Sequence, residues 1–327
     1  MKIDLLCGSK DKRCFQKQRL LYIFNQKKSL KISKMNHLQL FLLLSLMAFF
    51  QTAEAQDIAY GFKAGLNFNR IIGDSETDGT TEYETFDGKT GFHVGATFSW
   101  KATDLMGVRG EFLFSQKGYK RRYNGPSYYD ISTDNGTRVS LENGNRNIFI
   151  SNANSYIDIP VMGYVKVTKW LELHVGANVG IMLSSTAVGD FIYTGQTPNG
   201  SDVTIEYDLD YSYGSDDVGE VDVSAEPVTI AIDNGTFTLP NSAGAYYEYE
   251  SDEGRYYNLI DLGLVGGMSF YLNKGLYVAL RANYGLTDIT NDDADYSFLS
   301  KDANGDVIKR NEKDRNFSVQ ASVGFSF

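Results

Sequence analysis

Cysteine is scarce in these 327 residues: Cys7 and Cys14 are the two present, and both fall near the start of the chain. Past them there is no thiol nucleophile, Cys-based metal site or disulfide framework to consider. Proline is also rare, at 5 residues against 32 Gly, 22 Tyr and 20 Phe, a balance that favours strands joined by turns. Long apolar runs are missing too. The one continuous stretch, Leu38 to Phe50, is thirteen residues and too short for a helix to cross a bilayer. The mean hydropathy of -0.29 reads as soluble. It does not exclude a membrane β-barrel, in which alternate residues alone meet lipid.

Lys31 and Lys34 precede the apolar stretch, and Gln51-Thr52-Ala53-Glu54-Ala55-Gln56 follows it. A basic flank, a short apolar core and an Ala-x-Ala exit make a secretory signal peptide, with cleavage expected after Ala55. Met35 sits where such a peptide would begin, so residues 1–34 read as an over-extended start or a long leader. Residues 1–55 are therefore leader and signal peptide, and 56–327 the exported domain. Positive charge is in deficit there: 21 Lys+Arg face 38 Asp+Glu, a formal charge of −17. Nucleic acid is a poor partner for such a surface.

What the exported part has is alternation. The segment from Ile58 sets Tyr60, Phe62, Ala64, Leu66 and Phe68 against Gly61, Lys63, Gly65 and Asn67. Phe92 to Trp100 repeats the pattern, and a third segment opposes Val108, Phe112 and Phe114 to Arg109, Glu111, Ser115 and Lys117, running on to Tyr123. A fourth carries Ile157 to Val167 against Asp158, Tyr164 and Lys166, and a fifth Leu171 to Leu183 against Glu172, His174, Asn178 and Ser184. The sixth (Ile260 to Leu272) and seventh (Leu276 to Leu286) place Asp261 and Arg281 on their polar faces, and the eighth ends the chain at Phe327. Period two over about ten residues is the length of a tilted strand crossing a membrane.

Ala102-Thr103-Asp104-Leu105, Thr168-Lys169-Trp170 and Asn273-Lys274-Gly275 are short connections, and four long ones alternate with them. That asymmetry predicts an all-β, eight-stranded antiparallel up-and-down transmembrane β-barrel with brief periplasmic turns and long extracellular loops. Trp100, Trp170, Phe270, Tyr277, Phe325 and Phe327 fall at the short-turn end and read as an aromatic girdle at the periplasmic interface. A soluble lipocalin-type barrel also alternates, but it would crowd the bulky aliphatics inside and has no use for aromatics gathered at strand ends.

Tyr60-Gly61-Phe62-Lys63-Ala64-Gly65-Leu66-Asn67, Tyr156-Ile157-Asp158-Ile159-Pro160, Asn283-Tyr284-Gly285-Leu286-Thr287-Asp288-Ile289 and the final Ser322-Val323-Gly324-Phe325-Ser326-Phe327 together resemble the PorT-like outer-membrane β-barrel family of Bacteroidetes. The resemblance spans nearly the whole exported part. It implies an outer-membrane location, outer-membrane lipid around the strands, and recognition of the C-terminal strand by the barrel assembly machinery. The namesake's link to type IX protein secretion is carried by no motif visible here.

Chemistry has few candidates. His93 and His174 both point inward, at different heights, and no Ser motif flanks either one, so no catalytic residue and no cofactor is expected. The inward charges Lys63, Arg109, Glu111, Lys117, Asp158, His174 and Arg281 should instead form a lumen network. Glu111 is expected to pair with Arg109, Arg281 or Lys63, and Lys117 with Asp158, closing an interior just wide enough for side chains. The extracellular loop 187–255 holds 15 Asp or Glu and no Lys or Arg between Ala187 and Gly254. Its Val203–Tyr207 and Val228–Ile232 stretches suggest hairpins extending the barrel. Asp208, Asp210, Asp216 and Asp217 are weak Ca²⁺ candidates because they lack a ligand spacing. The sequence thus reads as a non-enzymatic surface-displayed interaction or structural protein with an extracellular or envelope partner. A narrow solute channel or secretion component is the alternative.

Overall fold

A computed structural model describes residues 58–327 apart from 134, 137, 215–220, 225, 233–234 and 248–253. The expected leader and signal peptide lie outside the described residues. The strands are β1 (Ile58–Ile72), β2 (Glu84–Lys101), β3 (Met106–Lys117), β4 (Tyr119–Ser132), β5 (Arg138–Lys166), β6 (Leu171–Gln196), β7 (Asp202–Ser212) and β8 (Val221–Asp222). They continue with β9 (Thr229–Ile232), β10 (Gly235–Thr238), β11 (Ser242–Ala243), β12 (Ile260–Tyr271), β13 (Leu276–Gly285), β14 (Tyr296–Lys301), β15 (Val307–Lys309) and β16 (Arg315–Ser326).

Period-two patterning fixes which face each strand buries. In β13, Tyr277, Ala279, Arg281 and Asn283 are buried, whereas Val278, Leu280 and Tyr284 are exposed. β1 pairs with β2 and β16, β16 with β13, β13 with β12, β12 with β6, β6 with β5, β5 with β3 and β3 with β2, each pair antiparallel. The ladder returns to the strand it started from, so no edge is left unpaired at that level.

Three tight connections are each closed by a side chain that mimics a backbone acceptor. Thr103 Oγ1 accepts from the Met106 amide at 3.1 Å, Thr168 Oγ1 from Leu171 at 3.0 Å, and Asn273 Oδ1 from Gly275 and Leu276 at 2.9 and 2.8 Å. These are the turns expected from the sequence.

At the opposite end the structure departs from the strand limits read above. The third segment does run past Tyr123, interrupted at Gly118 alone, where a Cβ would stand 2.4 Å from the Asn152 carbonyl oxygen; β3 and β4 keep one register along β5. β4 then continues upward between β2 and β5. β5 begins at Arg138, well before Ile157, and β6 runs to Gln196, so residues 187–196 are strand and not loop. Register slips between Ser155 and Tyr156, opposite Leu183. Leu183 and Ser184 are consequently both exposed, and the inward face of β6 changes parity: Asn178 below the bulge, Phe191 and Tyr193 above it. Ser184, expected inside, is outside for this reason.

Two interiors follow. Where the outward side chains are large and apolar, from Ile58 to Phe68 on β1 for example, the inward ones are polar. Farther along, the inward residues of β4, β5, β6 and β7 form an apolar cluster around Tyr129, Leu141, Phe191, Tyr193, Ile205 and Tyr207. Each such side chain contributes roughly 1.5–3 kcal/mol on burial, so the long connections build a second core.

Candidate functional site

The polar interior is layered. Nearest the tight turns, Arg109 meets Glu172 with Nη1 2.7 Å from Oε1, donates through Nε to Ser99 Oγ at 3.0 Å and through Nη2 to Tyr271 Oη at 3.0 Å. Its guanidinium lies over the rings of Tyr164 and Tyr277. These two tyrosines sit opposite glycines, Tyr164 across from Gly107 and Tyr277 across from Gly324. A Cβ at Gly324 would fall 2.2 Å from Tyr277 Cζ, so the ring occupies the space the glycine leaves.

In the next layer, Glu111 bridges Lys63 and Arg281, at 2.9 and 2.6 Å, and the Arg281 Nε donates to Gln320 Oε1. Beyond it Lys117 sits 3.0 Å from both Asp158 and Asp261, over the Tyr156 ring at 4.3 Å. Asn178 donates to Asp158 and Asn316 to Asp261. Four cations thus face four carboxylates. All eight side chains are at most 6% exposed. Paired as they are, these charges escape much of the penalty that a lone buried ion would carry, although Asp158 Oδ2 and Asp261 Oδ1 are buried without a hydrogen-bond partner. His174 is buried at the same levels but joins none of these ion pairs.

Glu172 and Asp261 complete this balance, and sequence reasoning left them out although both alternate inward. The parity signal was available. What it could not supply was which cation each would meet, since Arg109 and Glu172 are 63 residues apart. Sequence reasoning also missed a three-residue contact. His93 Nε2 lies 2.8 Å from Ser322 Oγ and Nδ1 lies 2.7 Å from Asn67 Oδ1. Asn67 Nδ2 donates to the carbonyls of Phe92 and Gln116, so Oδ1 is the acceptor, Nδ1 carries the proton, and Ser322 donates to Nε2. The order Ser–His–Asn is that of a nucleophile, base and orienting group. Here all three are buried, and His93 packs so closely on Gly65 that a Cβ there would fall 2.8 Å from its Cε1. No acyl substrate can approach Ser322, and the contact is a structural link between β1, β2 and β16.

The aromatic set divides. Trp170 stacks on Phe270 with ring centroids 6.1 Å apart, and Phe325 and Phe327 pack on each other and on Phe62. Trp100, Trp170 and Phe327 are exposed on the outward face. Tyr277 is not part of that band. It is 2% exposed and points inward, because the parity that turns Val278 outward turns Tyr277 in.

The second core closes the far end. Glu84 takes an ion pair from Arg121 and one from Arg310, and Glu76 accepts from the amides of Phe298 and Leu299, tying the β14–β15 hairpin down. Arg146, buried, lies over Phe298 at 4.4 Å and donates to the Tyr128 carbonyl. A cavity of about 30 Å³ beside Arg121, Tyr213, Tyr256 and Asp295 has room for a water and not for an organic ligand. On the outer face, Asp208 of β7 stands directly across from Asp190 of β6, and Asp210 is two residues along. Asp216 and Asp217 lie outside the described residues. Among the described residues no group of three or more His, Cys, Asp or Glu comes together as a metal site. Asp302 closes the β14–β15 turn by accepting from the Asn304 and Asp306 amides.

No curated protein matches the chain. Among solved structures it is similar to Ail, the attachment invasion locus protein of Yersinia pestis, at 9% identity over 83% of this chain and 100% of that one, TM-score 0.33. Neisserial surface protein A has 11% identity over 82% and 97%, TM-score 0.29, and OprG of Pseudomonas aeruginosa 11% over 82% and 95%, TM-score 0.28. Residues 49–291 match the model of the outer membrane protein beta-barrel domain, and the chain belongs to that family of strand-rich outer-membrane β-barrels.

Proposed function

We propose that this protein is an eight-stranded antiparallel up-and-down barrel with a side-chain-filled lumen, holding a folded acidic cap outside the cell as a non-enzymatic interaction or structural protein. Family membership implies the bacterial outer membrane. The finer steps, export through a signal peptide cleaved after Ala55 and a PorT-like lineage, rest on the sequence features given above.

The observation that carries the reading is the pair of interiors. Below, Arg109–Glu172, Lys63–Glu111–Arg281 and Lys117–Asp158–Asp261 fill the interior with buried, paired side chains, which favours a closed lumen. Above, the long connections bury Tyr129, Phe191 and Tyr207 against one another instead of opening a mouth. A barrel that neither conducts nor offers a reachable nucleophile has its outer surface left to work with. That surface places exposed Asp190, Glu206, Asp208 and Asp210 on one face of β6 and β7. Like charges directly across a strand pair destabilise it, so the Asp190–Asp208 juxtaposition has a cost that folding alone does not explain.

Cross-linking and pull-down from intact outer membranes tests this, comparing the native chain with the Asp190→Asn, Glu206→Gln, Asp208→Asn, Asp210→Asn variant. The expected result is loss of a specific protein partner with the barrel still folded. An unchanged set of captured proteins would move function away from this face.

A further inference from the structure

The outward apolar face of β1 ends at Arg70, and that of its neighbour β16 ends at Arg315. Arg70 faces Phe317 across the pair, and Arg315 faces Ile72, which puts the two arginines on one diagonal of the outward surface. From Ile58 to Phe68, and from Phe327 back to Phe317, ten residues at ~3.3 Å and a tilt near ~40° rise about 25 Å, the height of the lipid-facing band in such barrels. Both guanidinium groups therefore sit one step above hydrocarbon, at headgroup level. Arg70 is exposed and held over the Phe317 ring at 5.0 Å. Arg315 is half-buried and its Nε is without a hydrogen-bond partner.

Neither arginine pairs with a carboxylate among the described residues, whereas several other outer cations do. Arg122 pairs with Asp87, Lys301 with Asp130 and Lys309 with Asp293. In an exported domain with 38 acidic residues, two arginines without a carboxylate partner stand side by side on this face. Guanidinium groups of this kind match phosphate oxygens in geometry and charge. The exposed Phe68 and Val323 below them, with half-buried Val319, supply a surface for acyl chains.

We propose that Arg70 and Arg315 form a binding site for the phosphate monoester of an outer-leaflet lipid headgroup, with the acyl chains lying along β1 and β16. The inference rests on the membrane reading above. Arg70 supplies an exposed, ring-stacked fork and Arg315 a less mobile second one, so one phosphate can bridge both strands.

The test uses the full chain folded in zwitterionic detergent and native mass spectrometry of retained lipid. The probes are bisphosphorylated lipid A, the same lipid after phosphatase treatment, and inorganic phosphate as competitor. The phosphorylated lipid should be retained at a concentration on the order of tenfold lower than the dephosphorylated one, since each cation near an anionic headgroup adds a comparable increment. Arg70→Gln/Arg315→Gln should abolish that preference. Lys101→Gln/Lys169→Gln, at the opposite rim, should leave it intact. Equal retention of both lipids, a preference that survives the arginine variant, or full displacement by inorganic phosphate would each overturn the site. Insertion into phosphatidylcholine vesicles, measured in parallel, checks the membrane reading separately: insertion without phosphate preference sinks this inference alone.

Discussion

Glu111 is the residue on which the polar interior turns, because it alone neutralises both Lys63 and Arg281. Glu111→Ala should cost about 3–5 kcal/mol by leaving two buried cations uncompensated, read as a lower urea midpoint in lipid vesicles. A stability equal to that of the native chain would mean water already reaches this layer. Gly324→Val should prevent assembly of β13 against β16, since Tyr277 fills that space, and the heat-shifted folded band should be missing on gels. Asp314 makes a pH prediction outside the membrane zone. Burial pushes its carboxyl up to about 7, the Thr290 hydroxyl pulls the other way, and the Asp295 carboxylate adds to the rise. The folded state thus holds this proton more tightly than the unfolded chain, whose value is about 4. Its contribution is fully present below that value and is lost as pH rises through about 7. Intrinsic-corrected exchange of the Ile289 and Asp314 amides should be faster at pH 8 than at pH 6, and Asp314→Asn should flatten the difference. At this scale the sequence was informative about direction and silent about partners. Lys63, Glu111 and Arg281 were readable as inward by parity, whereas Ser322 beside His93 required β1, β2 and β16 to be placed side by side.

Among the elements, the lower halves of the strands were legible because one face is uniformly apolar there, and the tight turns because Thr103, Thr168 and Asn273 announce them. The upper halves were not. The bulge opposite Leu183 reverses the parity of β6, so Phe191 and Tyr193 appear out of phase with the strand that carries them. A reader following one phase ends the strand early and assigns the remainder to a loop. β4 follows β3 across Gly118 between the same two neighbours, β2 and β5, and what hid its extent past Tyr123 is that its large residues, Tyr129 and Ile131 among them, turn inward. The structure therefore predicts that amides from Ala187 to Tyr193 exchange about as slowly as those from Glu172 to Asn178. Fast exchange above Ser185 would return this segment to the loop the sequence suggested.

For the molecule as a whole, the two interiors answer two solvents. Alternation in the lower part gives hydrocarbon-facing Leu, Val and Phe outside and a charge-balanced column within, and the chain's acidic excess is carried mainly by the cap. Fold class and compartment were legible in the sequence because lipid imposes period two, tight turns and ring closure together. The cap was not, because its core is assembled from β4, β6, β7 and β14, segments far apart in the chain whose apolar residues are interspersed with acids. In the function proposed above, this barrel is closed from end to end. Single-channel recording of the full chain in planar bilayers decides it: a closed barrel leaves the membrane silent after verified insertion, and sustained porin-like conductance steps would contradict closure.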